Sequence, residues 1–145
     1  MVREMRGPRP GSTCCASGCG RSRWPGRWLP GGKQISYHVG PGDLWVSDVD
    51  GKNAKRLIES WSATQYDWSP DGKWIAYAKS DSDFNRDIWI APADGKRKPF
   101  NLSRHPDSDS NPKWSPNGKI LAFTGRRYDQ ETDIYYVYLS RADEE

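Results

Sequence analysis

The chain has 145 residues, a net charge of +3, 34% hydrophobic and 12% aromatic residues, which fits one domain whose core rests on large aromatics. Gly (14) and Pro (11) are plentiful, which argues against a helical bundle and for many short strands joined by tight turns. No run reaches the roughly 20 apolar residues of a membrane span, and the start lacks the apolar stretch of an export signal.

Residues 1–27 show no hydrophobic period and are predicted to form a disordered leader rich in Arg, Gly and Pro. Residues 1–31 hold Arg3, Arg6, Arg9, Arg21, Arg23 and Arg27 against the single acid Glu4, so the body beyond them is mildly acidic. Such a leader is attractive to anionic partners, but a solvated charge run explains it more simply. Cys14, Cys15 and Cys19 all lie here. They supply half of a zinc pattern without a second pair, and they read as free thiols. The leader looks foreign to the domain, as a mis-set start would.

From Trp28 onward the chain repeats itself. Trp28, Trp68 and Trp114 each open a similar segment and stand 40 and 46 residues apart. Periods of about 40–45 residues with four strands each are those of propeller blades. The segments divide the body at about 28–60, 61–107 and 108–145.

The same elements recur in each segment. Trp68-Ser69-Pro70-Asp71-Gly72-Lys73 is a turn in which Pro presets the first corner, Asp suits the second and Gly closes. Trp114-Ser115-Pro116-Asn117-Gly118-Lys119 repeats it, and Leu29-Pro30-Gly31-Gly32-Lys33 is a looser copy. A strand is predicted next, at 34–39, 74–79 and 120–124. Asp43-Leu44-Trp45, Asp87-Ile88-Trp89 and Asp133-Ile134-Tyr135 then begin a third strand with an aspartate each time. Asp50-Gly51 and Asp94-Gly95 predict tight two-residue hairpins, followed by a fourth strand at 55–58 and 98–102. The strand before Trp28 has no signature, and the last segment stops before its fourth strand. The prediction is an all-β fold, a partial β-propeller of about three four-stranded antiparallel blades, one complete and two incomplete.

The W-S-P-[DN]-G-K, D-I-[WY] and D-G series resembles the TolB-like, WD40-like (PD40) propeller repeat. It is also similar to blades of tricorn-type and prolyl oligopeptidase-like peptidases. The resemblance covers about residues 28–143 and implies a whole propeller of six or seven blades. It also implies protein or peptide binding over the loop-bearing faces, and a periplasmic or extracellular setting for a full-length parent. Three blades leave two faces open, so the chain reads as a piece of a longer propeller; closure by self-association is the alternative.

No catalytic constellation accompanies the repeat. There is no G-x-S-x-G elbow, Ser69 and Ser115 belong to the turns, and His38 and His105 lack partners at motif spacing. Asp81-Ser82-Asp83-Phe84-Asn85 opens like a calcium loop, but Arg86 stands where the glycine belongs and Pro92 where the glutamate belongs. Lys96-Arg97-Lys98 reads as a solvated hairpin edge rather than a nucleic-acid face. No cofactor or metal is expected. Trp68, Pro70, Gly72, Trp89, Gly95, Trp114, Pro116 and Gly118 are predicted to matter structurally. The expected role is a non-catalytic binding module; the alternative is the substrate-gating propeller of a peptidase whose catalytic domain lies elsewhere.

Overall fold

Each Trp-led turn closes a hairpin in the same way. In the second copy Gly72 N–H donates to the Ser69 carbonyl (2.8 Å) and Ser69 N–H to the Trp74 carbonyl (2.9 Å). Gly72 has φ +69°, a left-handed conformation that glycine adopts without steric cost. Ser69 and Asp71 brace the turn. The Ser69 hydroxyl donates to Asp71 Oδ1 (2.6 Å) and accepts from Trp74 N–H (2.9 Å), while Asp71 Oδ1 also accepts from Lys73 N–H (3.0 Å). Ser115, Asn117 and Lys119 repeat this pattern at 2.7 and 3.1 Å. Asn thus substitutes for Asp because only the acceptor oxygen is used.

The computed structural model describes residues 26–126 and 131–140, in three antiparallel sheets with no helix among those residues. Blade 1 contains β1 (Arg27–Trp28), β2 (Gln34–Val39), β3 (Asp43–Asp48) and β4 (Lys55–Ile58) in that order. Blade 2 contains β5 (Gln65–Trp68), β6 (Trp74–Ser80), β7 (Arg86–Pro92) and β8 (Phe100–Asn101). Blade 3 contains β9 (Asp109–Trp114), β10 (Ile120–Gly125) and β11 (Asp133–Tyr138). Most of the leader, with its cysteines, lies outside the described residues, as does the end of the last repeat.

Three details differ from the sequence expectation. The strand before Trp28 is present but cut to two residues, Arg27 pairing with Ser36 and Trp28 with Ile35. The fourth strand of blade 2 shrinks from the expected five residues to Phe100–Asn101. The first Asp-Gly hairpin is a three-residue loop, in which Gly51 N–H donates to the Asp48 carbonyl (2.9 Å) and Asp48 N–H to that of Lys52 (3.0 Å), whereas in the second Gly95 N–H donates to the Pro92 carbonyl (3.1 Å) and Pro92 has no N–H to close the loop. A two-residue type I′ turn needs φ > 0 at the aspartate as well, and only Gly51 (φ +82°) and Gly95 (φ +72°) have it here.

Two hydrophobic clusters join the blades. Leu44, Val46 and Ile58 of blade 1 pack against Tyr66, Trp68, Ile75 and Tyr77 of blade 2. Ala76, Ala78 and Ile88 of blade 2 pack against Leu121 and Phe123 of blade 3, with Trp114 and Tyr135 alongside. Blade 2 is therefore covered on both faces, which is why its second strand is nearly all apolar. Asp67 links the first strands of all three blades. Its carboxylate accepts from Arg27 (2.8 Å) and from Trp114 N–H (3.0 Å), and Lys113 Nζ stands 3.8 Å away.

In blades 1 and 2 the aspartate near the start of the third strand acts as a clasp. Asp43 accepts from Ser60 N–H (2.9 Å), and Asp87 from Asn101 Nδ2 (2.7 Å), Ser103 Oγ (3.2 Å) and His105 N–H (3.2 Å). Both clasps hold the chain just as it leaves the fourth strand. The Ser60 amide, with help from Arg56, holds the Asp43 carboxyl below its ordinary value.

Candidate binding cleft

Adjacent blades mesh through their turns. A Cβ added at Gly72 would meet the Pro30 carbonyl oxygen at 3.3 Å, and one added at Gly118 would meet Pro70 Cδ at 3.6 Å. Each proline therefore rests over the glycine of the next blade. Beside the second of these contacts the blades part.

A cleft of about 450 Å³ opens between blades 2 and 3, walled by Ser69, Pro70, Trp74, Trp114 and Gly118 among others. It continues into a hollow of about 420 Å³ bounded by Arg97, Lys98, Phe100 and Tyr138; Trp74, Ile90 and Leu139 wall both. Each is of a size that ligand pockets commonly have. A substitution between copies explains the opening. Leu29, in the first turn, is buried in the core between blades 1 and 2. Ser69 holds the same place in the next turn and fills less of the gap.

The cleft is aromatic with a basic rim. The Arg97 guanidinium lies 5.1 Å from the centre of the Trp74 ring, and Arg104 lies 5.3 Å from that of Phe100. Phe100 is 54% exposed, so its ring adds to the apolar wall of the hollow. Sequence reasoning missed this assembly, because Arg97 read as one of three solvated charges and Trp74 as an ordinary strand residue.

Trp114 contributes a second irregularity. Its indole N–H is buried with no hydrogen-bond partner among the described residues. At the neighbouring blade contact the equivalent donor is satisfied, Trp68 Nε1 reaching Ser36 Oγ at 3.1 Å. Ser36 also contacts Tyr66 Oη (3.0 Å) and donates to the Arg27 carbonyl (3.1 Å). Ala76 takes the place of Ser36 in blade 2: Ser36 pairs with Arg27, and Ala76 with Asp67. No hydroxyl is therefore available to Trp114.

Of the residues singled out in the sequence, Pro70, Trp114 and Gly118 come together in the wall of the cleft. Trp68 and Gly72 lie at the other blade contact, and Trp89 packs partly buried against the same core. Gly95 closes its hairpin, and Pro116 occupies the third turn. His38 Nε2 stands 3.0 Å from the Thr64 carbonyl oxygen, and His105 Nδ1 accepts from Asp107 N–H (3.2 Å). In the acidic loop, Asp81 Oδ1 accepts from Asp83 and Asn85 N–H (2.9 and 3.0 Å), which makes it a turn former. Among the described residues, no three His, Cys, Asp or Glu side chains are grouped to hold a metal, and no helix is long and apolar enough to cross a membrane.

No family model matches the chain. A tricorn protease homolog from Saccharolobus solfataricus is 28% identical over 111 residues, covering 75% of this chain and 10% of the relative. The Tol-Pal system protein TolB from Anaeromyxobacter dehalogenans is 33% identical over 92 residues, covering 60% of this chain and 20% of the relative. Among solved structures, TolB from Acinetobacter baumannii superposes with a TM-score of 0.66 at 18% identity, over 81% of this chain and 30% of that one. The chain thus spans between a tenth and a fifth of the length of these two curated relatives.

Proposed function

We propose that this chain, whose blades are similar to those of TolB and tricorn-type propellers, is a non-catalytic propeller portion of the TolB-like repeat family that binds a protein or peptide. The cleft between blades 2 and 3 is the binding site, and the Arg97 guanidinium stacked over Trp74 at its rim carries the assignment. An extended segment fits such a cleft, with apolar side chains against Trp74 and Trp114 and an acidic group at Arg97 and Lys98. The full-length parent acts in the periplasm or outside the cell, as the family resemblance implies.

The test is a calorimetric titration with an extended peptide alternating Glu and Leu, set against its Lys and Leu counterpart. Saturable binding of the acidic peptide alone, abolished by Arg97→Glu and weakened at least tenfold by Trp74→Ala, is expected. Equal binding of both peptides, or none, refutes the reading.

A second reading rests on the tricorn protease homolog among the relatives: the propeller guides substrate to a peptidase domain encoded beyond these residues. It predicts that the same cleft takes peptides in the intact parent, and that Arg97→Glu changes KM there without changing kcat.

A further inference from the structure

We propose that Trp61 and Phe84 form a second binding site, a corner that takes an arginine side chain from an extended basic segment of a partner protein. The two rings meet edge to face, 5.9 Å apart and at 85°. Trp61 is 58% exposed and Phe84 75%. Among the described residues, the other large apolar side chains more than half exposed are Trp28, Phe100, Ile134 and Tyr136. Trp28, Ile134 and Tyr136 stand on the first and last blades, where a longer propeller has further blades, and Phe100 belongs to the hollow already described. Trp61 and Phe84 lie instead at the junction of blades 1 and 2, where both neighbours are present.

Neither ring belongs to the repeat. Gly40, Pro41 and Gly42 join β2 to β3, whereas a longer loop at 81–85, which carries Phe84, joins β6 to β7. The connection out of blade 2, at 102–108, holds no tryptophan to match Trp61 in 59–64. The long loop also holds Phe84 at φ +64°, a left-handed value that suits glycine or asparagine better than a bulky side chain. Asp81 fixes it there: Oδ1 accepts from Asp83 and Asn85 N–H, and the carbonyl accepts from Phe84 N–H (3.4 Å). The ring is thus held out in water by the loop that carries it.

The surroundings select a cation. Glu59, Asp81, Asp83 and Asp87 stand within three residues of one ring or the other, against Arg86 alone. Arg86 is directed to Ser110 of blade 3 (3.5 Å). A guanidinium is flat and weakly hydrated, so it stacks on a ring and pairs with a carboxylate at once. The corner is also remote from the cleft. The β2–β3, β4–β5 and β6–β7 connections leave the antiparallel blades at one end, and the turns at 69–72 and 115–118 lie at the other. One end therefore offers basic groups beside aromatics, and the other acidic groups beside aromatics.

Fluorescence anisotropy of a labelled peptide alternating Arg and Gly, titrated with the full chain, tests this. Saturable binding is expected even though the chain carries a net charge of +3. Trp61→Ala and Phe84→Gly should each weaken it about three- to fivefold, the range of an exposed cation–π contact, with unchanged far-UV circular dichroism. Glycine suits the left-handed backbone at 84, so the loop keeps its shape while losing the ring. Asp83→Asn should weaken binding about twofold and flatten its dependence on salt. No binding, equal binding of a peptide alternating Leu and Gly, or an affinity unchanged in either ring variant overturns the proposal. The probe carries no acidic side chain, so its failure leaves the reading of the cleft standing.

Discussion

Replacing Ser36 with alanine tests whether a single buried hydroxyl organises the contact between blades 1 and 2. Ser36 is fully buried and holds Trp68 Nε1 at 3.1 Å, Tyr66 Oη at 3.0 Å and the Arg27 carbonyl at 3.1 Å. The variant leaves the Trp68 indole N–H, in a side chain only 7% exposed, without an acceptor. A buried donor stranded in this way costs about 1–3 kcal/mol. At roughly 4 °C per kcal/mol for a domain of this size, Tm falls by about 4–12 °C. Thermal unfolding followed by circular dichroism measures this in the full chain. Trp68→Phe removes the donor, so the double variant should lose less than the two single variants combined, by about 1 kcal/mol. Additive effects, or an unchanged Tm for Ser36→Ala, refute the account. The reciprocal change is Ala76→Ser, which offers Trp114 the acceptor it lacks and should stabilise the fold by about 0.5–1.5 kcal/mol.

Gly72→Val should destabilise by at least about 2 kcal/mol, from left-handed strain together with the Pro30 carbonyl oxygen 3.3 Å from the new Cβ. Gly95→Ala has open space around it and should cost only the conformational term of about 1 kcal/mol; equal losses in urea unfolding would disprove the difference. Hydrogen bonds from Ser69 and then Lys73 hold the Asp71 carboxyl below its ordinary value of 3.8, so its stabilisation is complete above that value and is lost as pH falls through the lowered one. Asp71→Asn, which copies Asn117 of the third turn, should match the parent near neutrality and outlast it in acid; a parallel acid-unfolding curve counts against this. Burial pushes the Tyr77 hydroxyl up to about 12, so the stability linked to it is present below pH 10 and is lost between there and about 12. Alkaline absorbance titration should therefore show late phenols from Tyr77 and from Tyr66, which burial also raises, and Tyr77→Phe should remove the Tyr77 one.

The turns were readable because their chemistry is local. Pro70, Asp71 and Gly72 each meet a requirement set within four residues, and so do their counterparts in the third copy. The Asp-Gly hairpins were readable as turns but not by length, since the hydrogen bonding of flanking strands decides whether two or three residues form the loop. The clasp role of Asp43 and Asp87 was visible only as recurrence, because its donors lie 17 and 18 residues away at Ser60 and His105. The cleft was hidden for a different reason. Its origin is a difference between copies, Ser69 and Ser115 where the looser first copy has Leu29, and averaging over copies discards such differences. The partnerless Trp114 arises in the same way, from Ala76 in the place of Ser36. Arg97 over Trp74 had no signal at all, since a hairpin and a strand meet there only after the blade is built.

The clasps also bear on how the chain is made. Asp43 is secured by Ser60 and Asp87 by His105, both in the connection that leads away from the finished sheet. A blade emerging from a ribosome is therefore clasped in part when its fourth strand supplies Arg56 or Asn101, and completely only after the tether to its successor has been synthesised. Vectorial synthesis thus secures each blade shortly before the next apolar face arrives to be covered.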